Sequence, residues 1–149
     1  MPARVMVVDD DDAIRTMLEV LLHRAGHDVV TVPSGGDALR RLHDGPLPDL
    51  VLLDIMMPGI CGWDVIDAMS ESPRLAEVPV VLLTAFGDGP ELPTGRPVLH
   101  KPVDDDLLRA LIEELLAQRE NLAFALEEPP SDLLPRRTPR AHSARSVAR

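Results

Sequence analysis

Four apolar residues, Val5-Met6-Val7-Val8, run without a break into four carboxylates, Asp9 to Asp12. Three of the four apolar residues are β-branched. So short a run reads as a strand buried on both faces, and such strands belong to parallel sheets covered by helices. The acids then stand at the strand's C-terminal end, the edge of an open α/β sheet where ligands bind. Packed carboxylates repel one another and are tolerated best around a cation. Hard oxygen donors on a strand tip suggest Mg²⁺. The rival reading is a solvated turn whose acids cap the next helix, and for Asp11 and Asp12 that reading is preferred.

The rest of the chain repeats the pattern. Strands are expected at Arg4 to Val8, Asp28 to Val32, Leu50 to Leu53, Pro79 to Leu83 and Pro97 to His100. Between them lie helical patterns. Ala13 to Ala25 carries Ile14, Met17, Leu18, Leu21 and Leu22 on one face, with Gly26 as its C′ residue. Ser34 caps a short helix bearing Ala38, Leu39 and Leu42, which Gly45-Pro46 ends. Asp64 to Ser70 is helical, and a long helix runs from Asp104 to about Leu126. This alternation predicts an α/β fold: a doubly wound parallel sheet of five strands with helices on both faces.

Size and charge narrow the function. A chain of 149 residues can build one real core. Residues 1–126 carry 10 Lys and Arg against 22 Asp and Glu, a balance of −12, which repels nucleic-acid phosphates. Trp63, Phe86 and Phe124 are the only aromatics, too few for a base-stacking platform. Direct DNA binding is therefore not expected. No stretch approaches the length of a membrane span and no signal peptide is visible, so neither a membrane nor export is expected. Cys61 has no partner for a disulfide and fits a reducing cytoplasm. Residues 127–149 hold Pro129, Pro130, Pro135 and Pro139, with five Arg against three acids. They read as a disordered Pro/Arg-rich tail and not as a second domain.

Four strand ends are polar: Asp9 and Asp10, Asp54, Thr84, and Lys101. Strand C-termini in a parallel sheet emerge at one edge, so these five side chains are expected to meet in one cleft. One Mg²⁺ offsets the carboxylates and leaves room for a phosphoryl ligand. A carboxylate beside the ion can act as a nucleophile and form an acyl phosphate. A Lys and a Thr hydroxyl can bind the phosphoryl oxygens. His23, His27, His43 and His100 lack metal-ligand spacing and are expected to face solvent. Cys61 is read as a passive loop residue.

The motifs VVDDD after the first strand, DLVLLDIMMPGICGWD around the third, VVLLTA at the fourth and LHKPV at the fifth occur in order, each on its strand end. Over roughly residues 3–120 the chain resembles the receiver domains of bacterial two-component response regulators. The resemblance implies a flavodoxin-like strand order of 2-1-3-4-5 and a domain over residues 1–126. It implies that Asp54 is the phosphoacceptor, taking its phosphoryl group from a sensor histidine kinase or a phosphotransfer protein. Asp10 would bind Mg²⁺ directly, Asp9 directly or through water, and the backbone carbonyl of Met56 would be a further metal contact. Thr84 and Lys101 would hold phosphoryl oxygens. Pro58 and Gly59 would shape the neighbouring loop, Ala85 would leave access to Asp54, and Pro102 would follow a cis peptide.

Two features depart from that pattern. Only 16 residues separate Thr84 from Lys101, and they include three prolines and three glycines. Interior proline costs a helix about 3 kcal/mol and glycine about 1 kcal/mol. The helix usual in segment 85–97 is therefore expected to be absent or reduced to a turn. Val98 stands where the family often places the Tyr or Phe of its conformational switch. Meanwhile Leu108, Leu115 and Leu122 recur every seven residues, and the far end of the last helix is expected to offer a surface to a second copy or another protein.

The expected function is a phosphoacceptor in a histidine-to-aspartate relay, acting through protein–protein contact, with autodephosphorylation but no separate enzymatic activity. A phosphorylation-independent interaction module on the same fold is the alternative. An aspartyl-phosphate hydrolase ranks last, because Met56 occupies the position where such enzymes carry a second acid.

Overall fold

The computed structural model describes residues 2–85 and 95–126. The expectations for the degenerate helix and for the tail fall largely on residues 86–94 and 127–149, which lie outside the described residues. Five parallel strands form one sheet: β1 (Arg4–Val8), β2 (Asp28–Val32), β3 (Leu50–Asp54), β4 (Val80–Thr84) and β5 (Val98–His100). Their order is β2-β1-β3-β4-β5, as the resemblance implies. Register pairs Val5 with Leu50, Val51 with Val80, and Leu82 with Val98.

Each strand divides its residues between two cores, because successive side chains point to opposite faces. Val5, Val7, Leu50, Leu52, Val81 and Leu83 pack against Leu18 and Leu22 of α1 (Asp12–Arg24) and Leu108 and Ile112 of α5 (Asp105–Leu126). Met6, Val8, Val51, Leu53, Val80 and Leu82 face the other way. They meet Ala38 and Leu42 of α2 (Gly35–Asp44), Val65 and Met69 of α3 (Gly62–Ser70), and Leu75 of α4 (Pro73–Ala76). Burial on both faces is why β1, β3 and β4 read as unbroken apolar runs.

The helix ends follow local chemistry. Asp11 caps α1, its Oδ1 accepting from the Ala13 and Ile14 N–H groups at 2.9 and 3.2 Å. Gly26 then turns the chain at φ 90°, a conformation that favours glycine. Ser34 Oγ accepts from Asp37 N–H at 3.2 Å. Asp104 Oδ1 accepts from Leu107 N–H at 2.9 Å and opens α5. The single turn α4 is absent from the sequence reading: four residues are too few to show a helical period, although Pro73 at its start suits a first turn.

At the N-terminal edge of the sheet, Arg119 of α5 donates to the Asp49 carbonyl at 3.0 Å and to its Oδ1 at 3.2 Å. Asp49 Oδ2 also accepts from the Arg4 N–H at 2.8 Å. The last helix is thus tied to the base of β1 and β3 as far as Arg119, and Leu122 beyond it is exposed. One expectation is corrected here. His27 does not face solvent: it is half-buried, and its Nδ1 accepts from the Ala3 N–H at 3.1 Å. Burial holds its pKa below the ordinary histidine value.

Leu50 is fully buried between sheet and helices, so Leu50→Ala is expected to cost about 2–5 kcal/mol in urea unfolding. Val20→Ala, on the exposed side of α1, is expected to change stability by no more than about 0.5 kcal/mol.

Candidate functional site

Parallel pairing carries β1, β3, β4 and β5 to one edge, and their ends converge. The Ile55 N–H donates to the Leu83 carbonyl at 3.1 Å, and the Lys101 N–H to the Thr84 carbonyl at 2.8 Å. These bonds extend the β3–β4 and β4–β5 ladders past the strands, and they place Asp54 and Lys101 in reach of each other.

Lys101 Nζ lies 2.7 Å from Asp9 Oδ2 and 3.4 Å from Asp54 Oδ2. Asp9 is fully buried and Asp54 is 3% exposed. The backbone orients both carboxylates: Asp9 Oδ1 accepts from the Asp11 N–H at 2.9 Å, and Asp54 Oδ1 from the Met56 N–H at 3.2 Å. The Lys101 ammonium is the partner of the buried Asp9 Oδ2, which has no backbone donor among the described residues. Burial, and then the Asp9 charge, push the Asp54 carboxyl up to about 6, against the opposing pull of Lys101. For Lys101, burial acts downward, but Asp9 and then Asp54 outweigh it and raise the pKa.

Asp9, Asp10 and Asp54 can each point an oxygen to within 4.8 Å of the others. Three carboxylates and one ammonium leave a formal charge of −2, which a divalent cation matches. Together with the under-bonded Asp9 Oδ2, this all-oxygen donor set fits Mg²⁺. Asp10 is exposed, giving an ion a solvent-facing ligand beside two buried ones. Thr84 is 6% exposed at the end of β4. The Met56 side chain is exposed, and Ala85 is exposed next to Thr84. Lys101-Pro102 is a cis peptide.

The loop from Ile55 to Cys61 is held by close backbone packing. The Gly62 N–H donates to the Ile55 carbonyl at 3.0 Å, and a Cβ on Gly62 would sit 2.6 Å from the Asp54 carbonyl oxygen. A Cβ on Gly35 would sit 2.6 Å from the Ile60 carbonyl. Glycine at both positions lets α2 and α3 close on the loop that follows Asp54. Gly59, at φ 75°, makes the turn within it. Cys61 begins α3, with its N–H and Sγ both directed at Asp64 Oδ2, at 3.1 and 3.3 Å.

The sequence reading missed three contributors. Arg15 donates through Nη1 to the Asp9 carbonyl at 2.7 Å and also pairs with Asp12, bracing the acidic turn from α1. Gly35 and Gly62 carry steric roles. An arginine one turn into a helix and a glycine at a helix start have many ordinary uses, so nothing local marked Arg15 or Gly35; Gly62 reads from the sequence as a loop glycine, and only its approach to Asp54 was hidden.

Comparison with known proteins gives a consistent result. The model for the response regulator receiver domain matches residues 5–113. Transcriptional regulatory protein AfsQ1 of Streptomyces coelicolor is 39% identical over 121 residues, covering 78% of this chain and 52% of that protein. Response regulator PleD of Caulobacter vibrioides is 39% identical over 120 residues, covering 77% of this chain and 26% of that protein. The chain thus spans about half, or less, of the curated relatives it matches. Among solved structures, Vibrio cholerae chemotaxis protein CheY4 superposes with a TM-score of 0.70 at 26% identity, covering 77% of this chain and 99% of that one. The N-terminal domain of a response regulator receiver protein from Methanoculleus marisnigri gives 0.62 at 34% identity, covering 77% and 97%.

The raised Asp54 pKa makes a signed prediction. An acid that binds its proton more tightly when folded adds stability at low pH, and that stability is lost as pH rises from about 4 to about 6. Asp54→Asn has no such proton. In EDTA the variant is expected to match the parent near pH 4 and to exceed its stability by roughly 1–3 kcal/mol above pH 6. Added Mg²⁺ is expected to narrow the gap by binding the folded parent. Urea titrations across this pH range provide the check.

Proposed function

The chain belongs to the response regulator receiver domain family, and on that premise we propose that Asp54 accepts a phosphoryl group in a Mg²⁺-dependent phosphorelay. The observation that carries the reading is the Lys101 ammonium set between Asp9 and Asp54 at the edge where four strand ends converge. Asp9, Asp10, Asp54 and the Met56 backbone carbonyl would hold the ion. Bound there, Mg²⁺ supplies Lewis-acid stabilisation of phosphoryl charge.

The remaining chemistry falls to the chain itself. One Asp54 carboxylate oxygen attacks phosphorus, forming a P–O bond as the P–N bond of a donor phosphohistidine breaks. The departing imidazole keeps the electron pair and takes its proton from solvent. The Met56 N–H fixes the Asp54 carboxylate through Oδ1 during the attack. The Lys101 ammonium, already beside Asp54, transfers its attraction to a phosphoryl oxygen, and the Thr84 hydroxyl donates to another. Reversal of charge state follows when water attacks phosphorus and the P–O bond to Asp54 breaks, restoring the carboxylate and inorganic phosphate. No catalytic activity beyond self-phosphorylation and this hydrolysis is proposed.

A sensor histidine kinase or phosphotransfer protein is the proposed donor, in the cytoplasm, and the output is contact with another protein. No helix among the described residues is long and apolar enough to cross a membrane. The acidic surface disfavours direct contact with DNA.

Acetyl phosphate treatment followed by intact-mass measurement tests the proposal. One added phosphoryl group is expected with Mg²⁺, and none with EDTA or in Asp54→Asn. Lys101→Met is expected to slow labelling by about 10-fold or more, as loss of a preorganised cation does. No adduct under conditions that label an ordinary receiver would favour a phosphorylation-independent interaction module instead.

A further inference from the structure

A cavity lies far from the acidic cluster, at the N-terminal edge of the sheet. It is a groove of about 880 Å³ between α1 and α5, walled by Leu21, Leu22, Leu108, Ile112 and Leu116. Leu22, Leu108 and Ile112 form a closed floor, while Leu21 and Leu116 are half-buried and present apolar surface to the opening.

The groove's charged rim is unbalanced. Its two arginines are already paired, Arg109 with Asp105 at 3.0 Å and Arg119 with Asp49 at 3.2 Å. Glu113 and Glu120 also line it, and among the described residues no basic side chain lies within ion-pair distance of either. The groove therefore suits an amphipathic, cationic occupant.

The chain carries such a segment. Leu133-Leu134 is followed by Arg136-Arg137, within residues 127–149, whose balance of five Arg against three acids contrasts with −12 for residues 1–126. Reach permits contact. From Leu126 back to Glu113 is 13 residues of helix, about 20 Å at 1.5 Å per residue. The six residues from 127 to 132 span up to about 20 Å when extended. We propose that the C-terminal segment folds back along α5, with Leu133 and Leu134 on the Leu21 and Leu116 walls and Arg136 and Arg137 at Glu113 and Glu120. Apolar burial anchors the segment and paired charges set its direction. The groove then serves as an intramolecular docking site, independent of the phosphoryl chemistry at the opposite edge.

The test uses the full chain in a Cys61→Ser background with a nitroxide on Thr138→Cys. Docking predicts that the amide NMR signals of Ala25, Glu113 and Ala117 lose most of their intensity, while those near Gly59 do not. Leu133→Ser with Leu134→Ser is expected to restore the groove signals. Arg136→Glu with Arg137→Glu, or high salt, is expected to weaken the broadening. Cys61 belongs to neither core, and amide signals away from the groove report whether each variant keeps the fold. Broadening confined to the end of α5 and indifferent to the leucine changes would overturn the proposal. So would broadening that passes from a spin-labelled, unlabelled-nitrogen chain to a separate ¹⁵N-labelled chain, since that would assign the groove to a second copy.

Discussion

Two carboxylates, one fully buried and one nearly so, share a single ammonium, and the site depends on that imbalance. Burying a charge is costly unless it is paired. Burial and then the Asp9 charge raise the Asp54 pKa to about 6, and Lys101, which meets Asp9 more closely than Asp54, only partly opposes them. A structure selected for stability alone would match the charges or remove one. Here the surplus sits at the one edge of the sheet where a ligand can reach it, and a divalent cation is the simplest group that balances it.

The two ends of the sheet solve the same problem differently. At the N-terminal edge, Asp49 is met by Arg119 and by the Arg4 backbone, so its carboxylate is fully engaged in holding α5 to the strands. At the C-terminal edge, backbone N–H groups fix one oxygen of Asp9 and of Asp54, and the other oxygen of each is left to a cation. Rigid orientation with incomplete compensation is what a nucleophile requires: the carboxylate is positioned without being neutralised. The two tightly packed glycines serve the same end, closing α2 and α3 on the loop behind Asp54.

Much of this was legible in the amino-acid order. The apolar runs at Val5, Leu50 and Val80 betrayed strands buried on both faces, and each ended in the polar residue that the structure brings to the common edge. Asp11 and Asp12 behave as helix-capping and first-turn acids, as their position before an amphipathic run suggested. What local pattern could not carry was anything set by long-range contact. His27 looked like one of several scattered histidines until its ring met the start of β1. Arg15 became a brace for Asp9 only through a turn closing between them. The one-turn α4 was too short to leave a period.

The sequence by itself determined the fold class, because side-chain periodicity and burial on both faces admit few arrangements other than a parallel sheet with helices on each side. It also determined which residue types stand at the strand ends. Only the tertiary structure decided how unequally those residues share charge. Distances of 2.7 and 3.4 Å from Lys101, complete burial of Asp9 and exposure of Asp10 arise from strand register and loop packing. Coulomb energy and desolvation depend on separation and surroundings in space, and neither is written in spacing along the chain.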